Sequence, residues 1–137
     1  MGSNGLALVG IDLDKDVALI EAAYNDVEGV TAAFTLNLLR RLNREVGSDF
    51  DLPAFRHRAR YNTQRLRIET DLVSQRQQEV QLGGQMFQFQ AGEPIRVEYS
   101  HKYNDTVFDA LLAEAGLEVA ARWDTAPAYG LRLLRAV

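Results

Sequence analysis

The hydrophobic period of this chain changes at Arg65, and that change constrains the fold more than any other feature. Upstream, Phe34, Leu38 and Leu42 are spaced by four, with Leu39 and Val46 widening the stripe. This spacing predicts an amphipathic helix over 30–46. Arg40, Arg41 and Arg44 fall mostly on its other side, and Gly47 is placed to stop it. Downstream, Leu66, Ile68, Thr70 and Leu72 alternate with Arg67, Glu69, Asp71 and Val73, the spacing of a strand with two distinct faces. Helical and strand periods in one chain of 137 residues imply a single mixed α/β domain.

The remaining elements follow from local signals. Leu6-Ala7-Leu8-Val9-Gly10-Ile11 is an uninterrupted apolar run and reads as a buried strand, suited to a parallel sheet. Asp12 after it reads first as a turn aspartate, second as a polar group facing a ligand crevice. A helix is predicted from Lys15 or Asp16 to Tyr24, with Val17, Leu19, Ile20 and Ala23 as its stripe, broken by Asn25-Asp26 and Gly29. Asp51-Leu52-Pro53 reads as a cap with proline in the first turn, so a short helix is expected through Phe55 to about Arg60. Strands are expected at 79–82 and 85–90 around a Gly83-Gly84 hairpin turn, and at 95–103 after a loop. The middle of the chain is therefore expected to be an antiparallel meander with polar, Gln-rich outer faces. Asn104-Asp105-Thr106 offers caps for a helix through Phe108, Leu111 and Leu112 that Gly116 ends. Segments 117–123 and 129–137 read as antiparallel closing strands joined by a turn at 124–128.

Composition narrows the function. No apolar run approaches the roughly 20 residues that span a bilayer, so no membrane role is expected. No charged-then-apolar leader is visible, which points to the cytoplasm. Met1-Gly2-Ser3 looks more like an appended start than a native one. Cysteine is absent, which excludes disulfides, cysteine zinc sites, iron–sulfur clusters and thiol nucleophiles. The net charge of −4, from 15 basic and 19 acidic residues, does not suggest a nucleic-acid partner. Arg56, His57, Arg58, Arg60, Arg65 and Arg67 form a local basic run. It reads as a solvated, salt-bridged face, with a phosphate or nucleic-acid patch as the alternative. His57 and His101 lack ligand spacing, so no metal site is expected. Asp12, Asp14 and Asp16 lack the glycine and terminal glutamate of a calcium loop. No phosphate-loop or nucleophile-elbow motif occurs.

One strand carries candidate chemistry. Strict alternation over 95–103 puts Ile95, Val97, Tyr99, His101 and Tyr103 on one face, and Arg96, Glu98, Ser100 and Lys102 on the other. Glu98 and Ser100 then stand roughly 7 Å apart on that face. A carboxylate and a hydroxyl at this spacing could grip opposite nitrogens of one small ring; the plainer reading is a solvated strand face.

Several runs together resemble one family. They include Leu8-Val9-Gly10-Ile11-Asp12-Leu13-Asp14-Lys15-Asp16, Ala23-Tyr24-Asn25-Asp26 with Gly29-Val30-Thr31-Ala32-Ala33-Phe34, and Asn43-Arg44-Glu45 with Asp49-Phe50-Asp51. Ala54-Phe55-Arg56-His57 with Ala59-Arg60-Tyr61-Asn62, Arg67-Ile68-Glu69, Ala91-Gly92-Glu93 and Glu98-Tyr99-Ser100-His101-Lys102-Tyr103 complete the set. The chain resembles the histidine-specific S-adenosylmethionine-dependent methyltransferases, whose best-known activity is Nα-trimethylation of L-histidine to hercynine in ergothioneine biosynthesis.

The resemblance implies the C-terminal part of a class I, Rossmann-like α/β methyltransferase with an inserted antiparallel-sheet-plus-helices substrate-binding region; an isolated piece would be α+β. It implies a core strand at 4–13, the substrate-binding region at 14–102, and a core helix with closing strands at 103–137. It implies that Tyr24 holds the α-amino-acid end of the substrate and that Glu98 and Ser100 hydrogen-bond the imidazole. The S-adenosylmethionine motif of the family lies upstream of the strand at 4–13, so no cofactor-binding residue is assigned and the chain alone is expected to be inactive. Thr70 departs from the family's Arg-Ile-Glu-Met and changes an apolar wall of the pocket. The alternatives are a same-family enzyme for another small amino acid or amine, and a non-catalytic binding or interaction domain. Bare strand edges predict a dimer or a strand exchange.

Overall fold

The computed structural model describes residues 5–125 and 129–137. Met1-Gly2-Ser3 and positions 126–128 of the expected turn lie outside these residues. The elements are β1 (Leu6–Asp12), α1 (Val17–Tyr24), α2 (Val30–Val46), a 3-10 turn (Leu52–Ala54), β2 (Phe55–Asn62), β3 (Arg67–Ser74), β4 (Gln78–Leu82), β5 (Gln85–Phe89), β6 (Pro94–His101), α3 (Asp105–Glu114), β7 (Leu117–Thr125) and β8 (Tyr129–Ala136). The result is an α+β fold built mostly on antiparallel pairing. It divides into two units.

The first unit takes the described residues of 1–16, 63–67 and 101–137. Its sheet has the order β1-β8-β7, antiparallel throughout. One face packs Ile11 and Leu134 against Phe108 and Leu112 of α3. Asn104 caps α3 by accepting from the Val107 amide. The other face leaves Leu6, Leu8, Trp123 and Tyr129 at least half exposed. Among the described residues β1 pairs with β8 alone, antiparallel, and only alternate side chains turn inward. Inside this unit Arg132 is 1% exposed, and its guanidinium spans Asp124 and Asp105. Burial opposes ionisation of Asp105, but hydrogen bonding to Arg132 and the charges of Arg122 and Arg132 outweigh it and hold its carboxyl below the usual range.

The second unit takes residues 17–62 and 68–100. Its main sheet has the order β2-β3-β6, and β4 and β5 form a separate hairpin. The meander is corrected accordingly: β6 bypasses the hairpin and returns to β3. Gly83 and Gly84 both hold positive φ in the hairpin turn, which a side chain would resist. The expected helix at 55–60 is corrected as well. The proline turn ends after Leu52–Ala54, and β2 follows because its buried Phe55 and Ala59 face the helices. Leu39, Phe50, Phe55, Leu72 and Val80 form the larger core cluster, joined by Ile95 and Val97. Ile20, Ala59 and Ile68 form the smaller one, with Tyr24 and Tyr61 against it. Only the Leu39 side of α2 is buried; Phe34, Leu38 and Val46 of the predicted stripe remain exposed.

Candidate functional site

The second unit fixes Tyr24 by a lattice of short polar contacts. Asn25, just past α1, brackets the β2 backbone: its amide donates to the Ala59 carbonyl at 3.0 Å and its oxygen accepts from the Ala59 N–H at 3.1 Å. The Glu21 carboxylate, one turn earlier, accepts from the Tyr61 N–H at 2.8 Å. His57 Nε2 lies 2.8 Å from the Tyr24 carbonyl. A carbonyl only accepts, so Nε2 carries the proton, and Nδ1 is buried with no partner among the described residues. The Asp26 carboxylate then accepts from the Val30 and Thr31 amides and starts α2. Those hydrogen bonds, led by Thr31, lower its pKa to about 2.

So held, Tyr24 places its phenol oxygen 2.7 Å from Ser100 Oγ, across 76 residues of sequence. The structure brings these two sequence-nominated residues together. Glu98 stands apart from them. Strict alternation does not run through β6: Glu98 and Tyr99 are both exposed, and half-buried Ser100 follows. Arg96 lies over the Tyr99 ring at 5.0 Å. Glu98 lines a groove of about 430 Å³ with Val97 and with Phe34, Leu38, Arg41 and Leu42 of α2. Among the described residues its carboxylate has no hydrogen-bond or ion-pair partner, whereas Asp71 nearby on β3 is gripped by Arg96 and Arg58. Burial opposes charge on Asp71, yet these guanidinium bonds keep its carboxyl below the ordinary range. Arg58 of the basic run is thus absorbed by an ion pair, while Arg56 and Arg60 are exposed.

Thr70 lies on β3 between Ile68 of the Tyr24 cluster and Leu72 of the Val97 cluster. It is 1% exposed, and its hydroxyl has no partner among the described residues. Sequence reasoning missed Glu21, Asn25 and His57 as supports. Asn25-Asp26 signalled a helix break, His57 a metal ligand or part of the basic run, and both lay in runs of the resemblance, without a supporting role. Among the described residues no three His, Asp or Glu groups converge on a metal-sized site, and no helix is long and apolar enough to cross a membrane.

Within the second unit the chain presents the paired Tyr24 and Ser100 hydroxyls and the exposed Glu98 carboxylate. The comparisons with known proteins define its class. Residues 1–136 match the family described as "Histidine-specific methyltransferase, SAM-dependent", and the chain belongs to that family. It is 43% identical over 129 residues to the histidine N-alpha-methyltransferase of Mycolicibacterium smegmatis, covering 92% of this chain and 40% of that one. The match to ergothioneine biosynthesis protein 1 of Neurospora crassa is 29% identical, over 98% of this chain and 15% of that protein. The L-tryptophan methyltransferase of Psilocybe serbica is 31% identical, over 94% of this chain and 37% of its own. The chain thus spans about 40% of the length of the first curated relatives it matches.

The family description names S-adenosylmethionine as the cofactor. Phosphate- and nucleoside-binding turns run from a strand through glycines into a helix. Here the positive-φ glycines flank α2, turn the β4–β5 hairpin, precede β6 or follow α3. No step is therefore routed through that group.

Proposed function

We propose that this chain is the amino-acid-holding part of an S-adenosylmethionine-dependent methyltransferase that N-methylates the α-amine of L-histidine, giving hercynine on the way to ergothioneine. In this reading residues 14–102 form the substrate-binding region. Residues 4–13 and 103–137 belong to a Rossmann-like core whose cofactor motif lies in another segment. Ser100 and Glu98 hold the imidazole and Tyr24 holds the α-amino-acid end of the substrate. The observation that carries the reading is the Tyr24–Ser100 contact, which couples two residues of the family resemblance in one locked place. A carboxylate accepts from one ring N–H while a hydroxyl serves the other nitrogen. Side chains lacking those groups would leave buried polar atoms unpaired and be rejected. The chain's own task is to bind and orient the amino acid so that its amine meets the methyl donor in a reactive geometry. The exposed apolar face of the β1-β8-β7 sheet would be covered in the whole enzyme, and in the isolated chain it favours self-association.

The test is methylation of L-histidine by the full-length protein carrying these residues, with products identified by mass. Hercynine formed by the parent and lost in Glu98→Ala supports the reading. Methyl transfer to other amino acids but not to histidine contradicts it. That second outcome has its own support: a relative named for L-tryptophan and the unpaired Thr70 hydroxyl within the apolar floor.

A further inference from the structure

We infer that Arg96 is a positioning residue for Glu98: it braces the edge strand β6 so that the carboxylate is presented at a fixed place. The inference rests on the reading that Glu98 meets the substrate ring.

Strand β6 is an edge of the β2-β3-β6 sheet. It has a hydrogen-bonded strand on one side only, so its backbone is less constrained than that of β3. Glu98 depends on that backbone, because its exposed carboxylate has no hydrogen-bond or ion-pair partner among the described residues. Its place is set by its neighbours in the chain. Val97 packs against the larger core cluster and lines the same groove as Glu98. Arg96 adds further ties. Its Nε donates to Asp71 Oδ1 at 2.5 Å, and its Nη1 lies 3.2 Å from Glu69 Oε2. Its guanidinium carbon stands 5.0 Å from the centre of the Tyr99 ring. Arg96 and Tyr99 thus meet across the Val97-Glu98 pair and hold the strand on both sides of the carboxylate.

The brace is anchored in the middle of the sheet. Asp71 on β3 is 3% exposed and divides its oxygens between two strands. Oδ2 accepts from Arg58 of β2 at 2.8 Å, and Oδ1 accepts from Arg96 of β6. One buried carboxylate thereby ties both edge strands to the central one. Charge-assisted bonds of this kind are about twice as strong as neutral ones, and buried pairs are little screened by salt. A lysine could supply the charge but not the geometry. Its compact ammonium lacks the planar fork that bonds a carboxylate and also lies over an aromatic ring. Arg96 itself touches no substrate in this reading, so its effect on binding passes through Glu98.

The experiment is a double-mutant cycle on L-histidine affinity in the full-length protein, measured by titration calorimetry at constant pH, with denaturant unfolding of each variant alongside. Glu98→Gln is expected to weaken binding at least about ten-fold, and Arg96→Met about five-fold. The double variant is expected to bind no more weakly than Glu98→Gln alone, because misplacing a group that no longer holds the ring has no further effect. A merely structural arginine would lower the unfolding midpoint without this non-additivity. Arg96→Lys keeps a charge beside Asp71, so it should recover most of the stability lost in Arg96→Met but only part of the affinity. Should Arg96→Met not fold, Arg96→Lys takes its place in the cycle. Parental affinity in the Arg96 variant, or an Arg96 loss that persists in the Glu98→Gln background, overturns the inference and leaves the substrate reading intact. Absence of histidine binding to the parent protein, or full affinity in Glu98→Gln, overturns both.

Discussion

Ser100 and Glu98 stand two residues apart on β6, yet their surroundings have little in common. Ser100 is half-buried and bonded to a tyrosine whose carbonyl meets His57 and whose helix neighbours Glu21 and Asn25 bond to β2. Glu98 is exposed, beside a helix whose apolar side is largely open, with no protein partner among the described residues. Under the proposed reading the contrast is a division of labour. The hydroxyl end is organised by the fold before any ligand arrives. The carboxylate end keeps its bonding capacity unspent, and a ring N–H would be its first good partner.

The largest break in that comparison is expected from Ile68→Ala. Ile68 is fully buried under Tyr24, and truncation should cost about 2–5 kcal/mol. Denaturant unfolding would read this, and Val97 truncation, at a half-buried site beside Glu98, should cost less. Next comes Asn25→Ala. It leaves the buried Ala59 amide and carbonyl without their bracket, with an expected loss of about 1–3 kcal/mol. Wild-type stability in that variant would show that Tyr24 is not fixed by the bracket.

A smaller effect sharpens the other half. Glu98→Gln should change stability by no more than about 0.5 kcal/mol, because no protein contact is lost. A clear destabilisation would mean that the carboxylate is already engaged.

The smallest expected effect is acidic. The Asp26 carboxyl titrates at about 2 in the folded chain, below its ordinary value of 3.8. Its contribution is therefore fully present above about pH 4 and is lost as pH falls toward 2. Thermal melts between pH 2.5 and 5 should show this slope shrink in Asp26→Asn. The variant should weaken the start of α2, on the Glu98 side of the unit, while the Tyr24–Ser100 bond remains.

The parts of this fold that the sequence announced are those governed by local physics. Helix α2 has a clear period, and Gly47 ends it in the left-handed conformation. Gly83-Gly84 turns the hairpin where glycine spacing predicted. Failures came where distant residues decide. The segment at 55–60 follows a proline turn that reads as a helix start, but β3 claims it as a sheet partner. Burial does not alternate strictly along β6, where Glu98 and Tyr99 are both exposed and half-buried Ser100 follows. Alternation therefore paired Glu98 with Ser100 and could not foresee their different surroundings. The resemblance nominated Tyr24 and Ser100 separately; their contact across the fold was visible only in three dimensions. The same holds for Asn25, Asp26 and His57, which the structure explains as supports for Tyr24 and α2.

The most direct test of the central claim is titration of L-histidine into the full-length protein and its Glu98→Gln variant. The account predicts saturable binding to the parent and a loss of at least about ten-fold in the variant. Equal affinity in both proteins, or no binding to the parent, would contradict it.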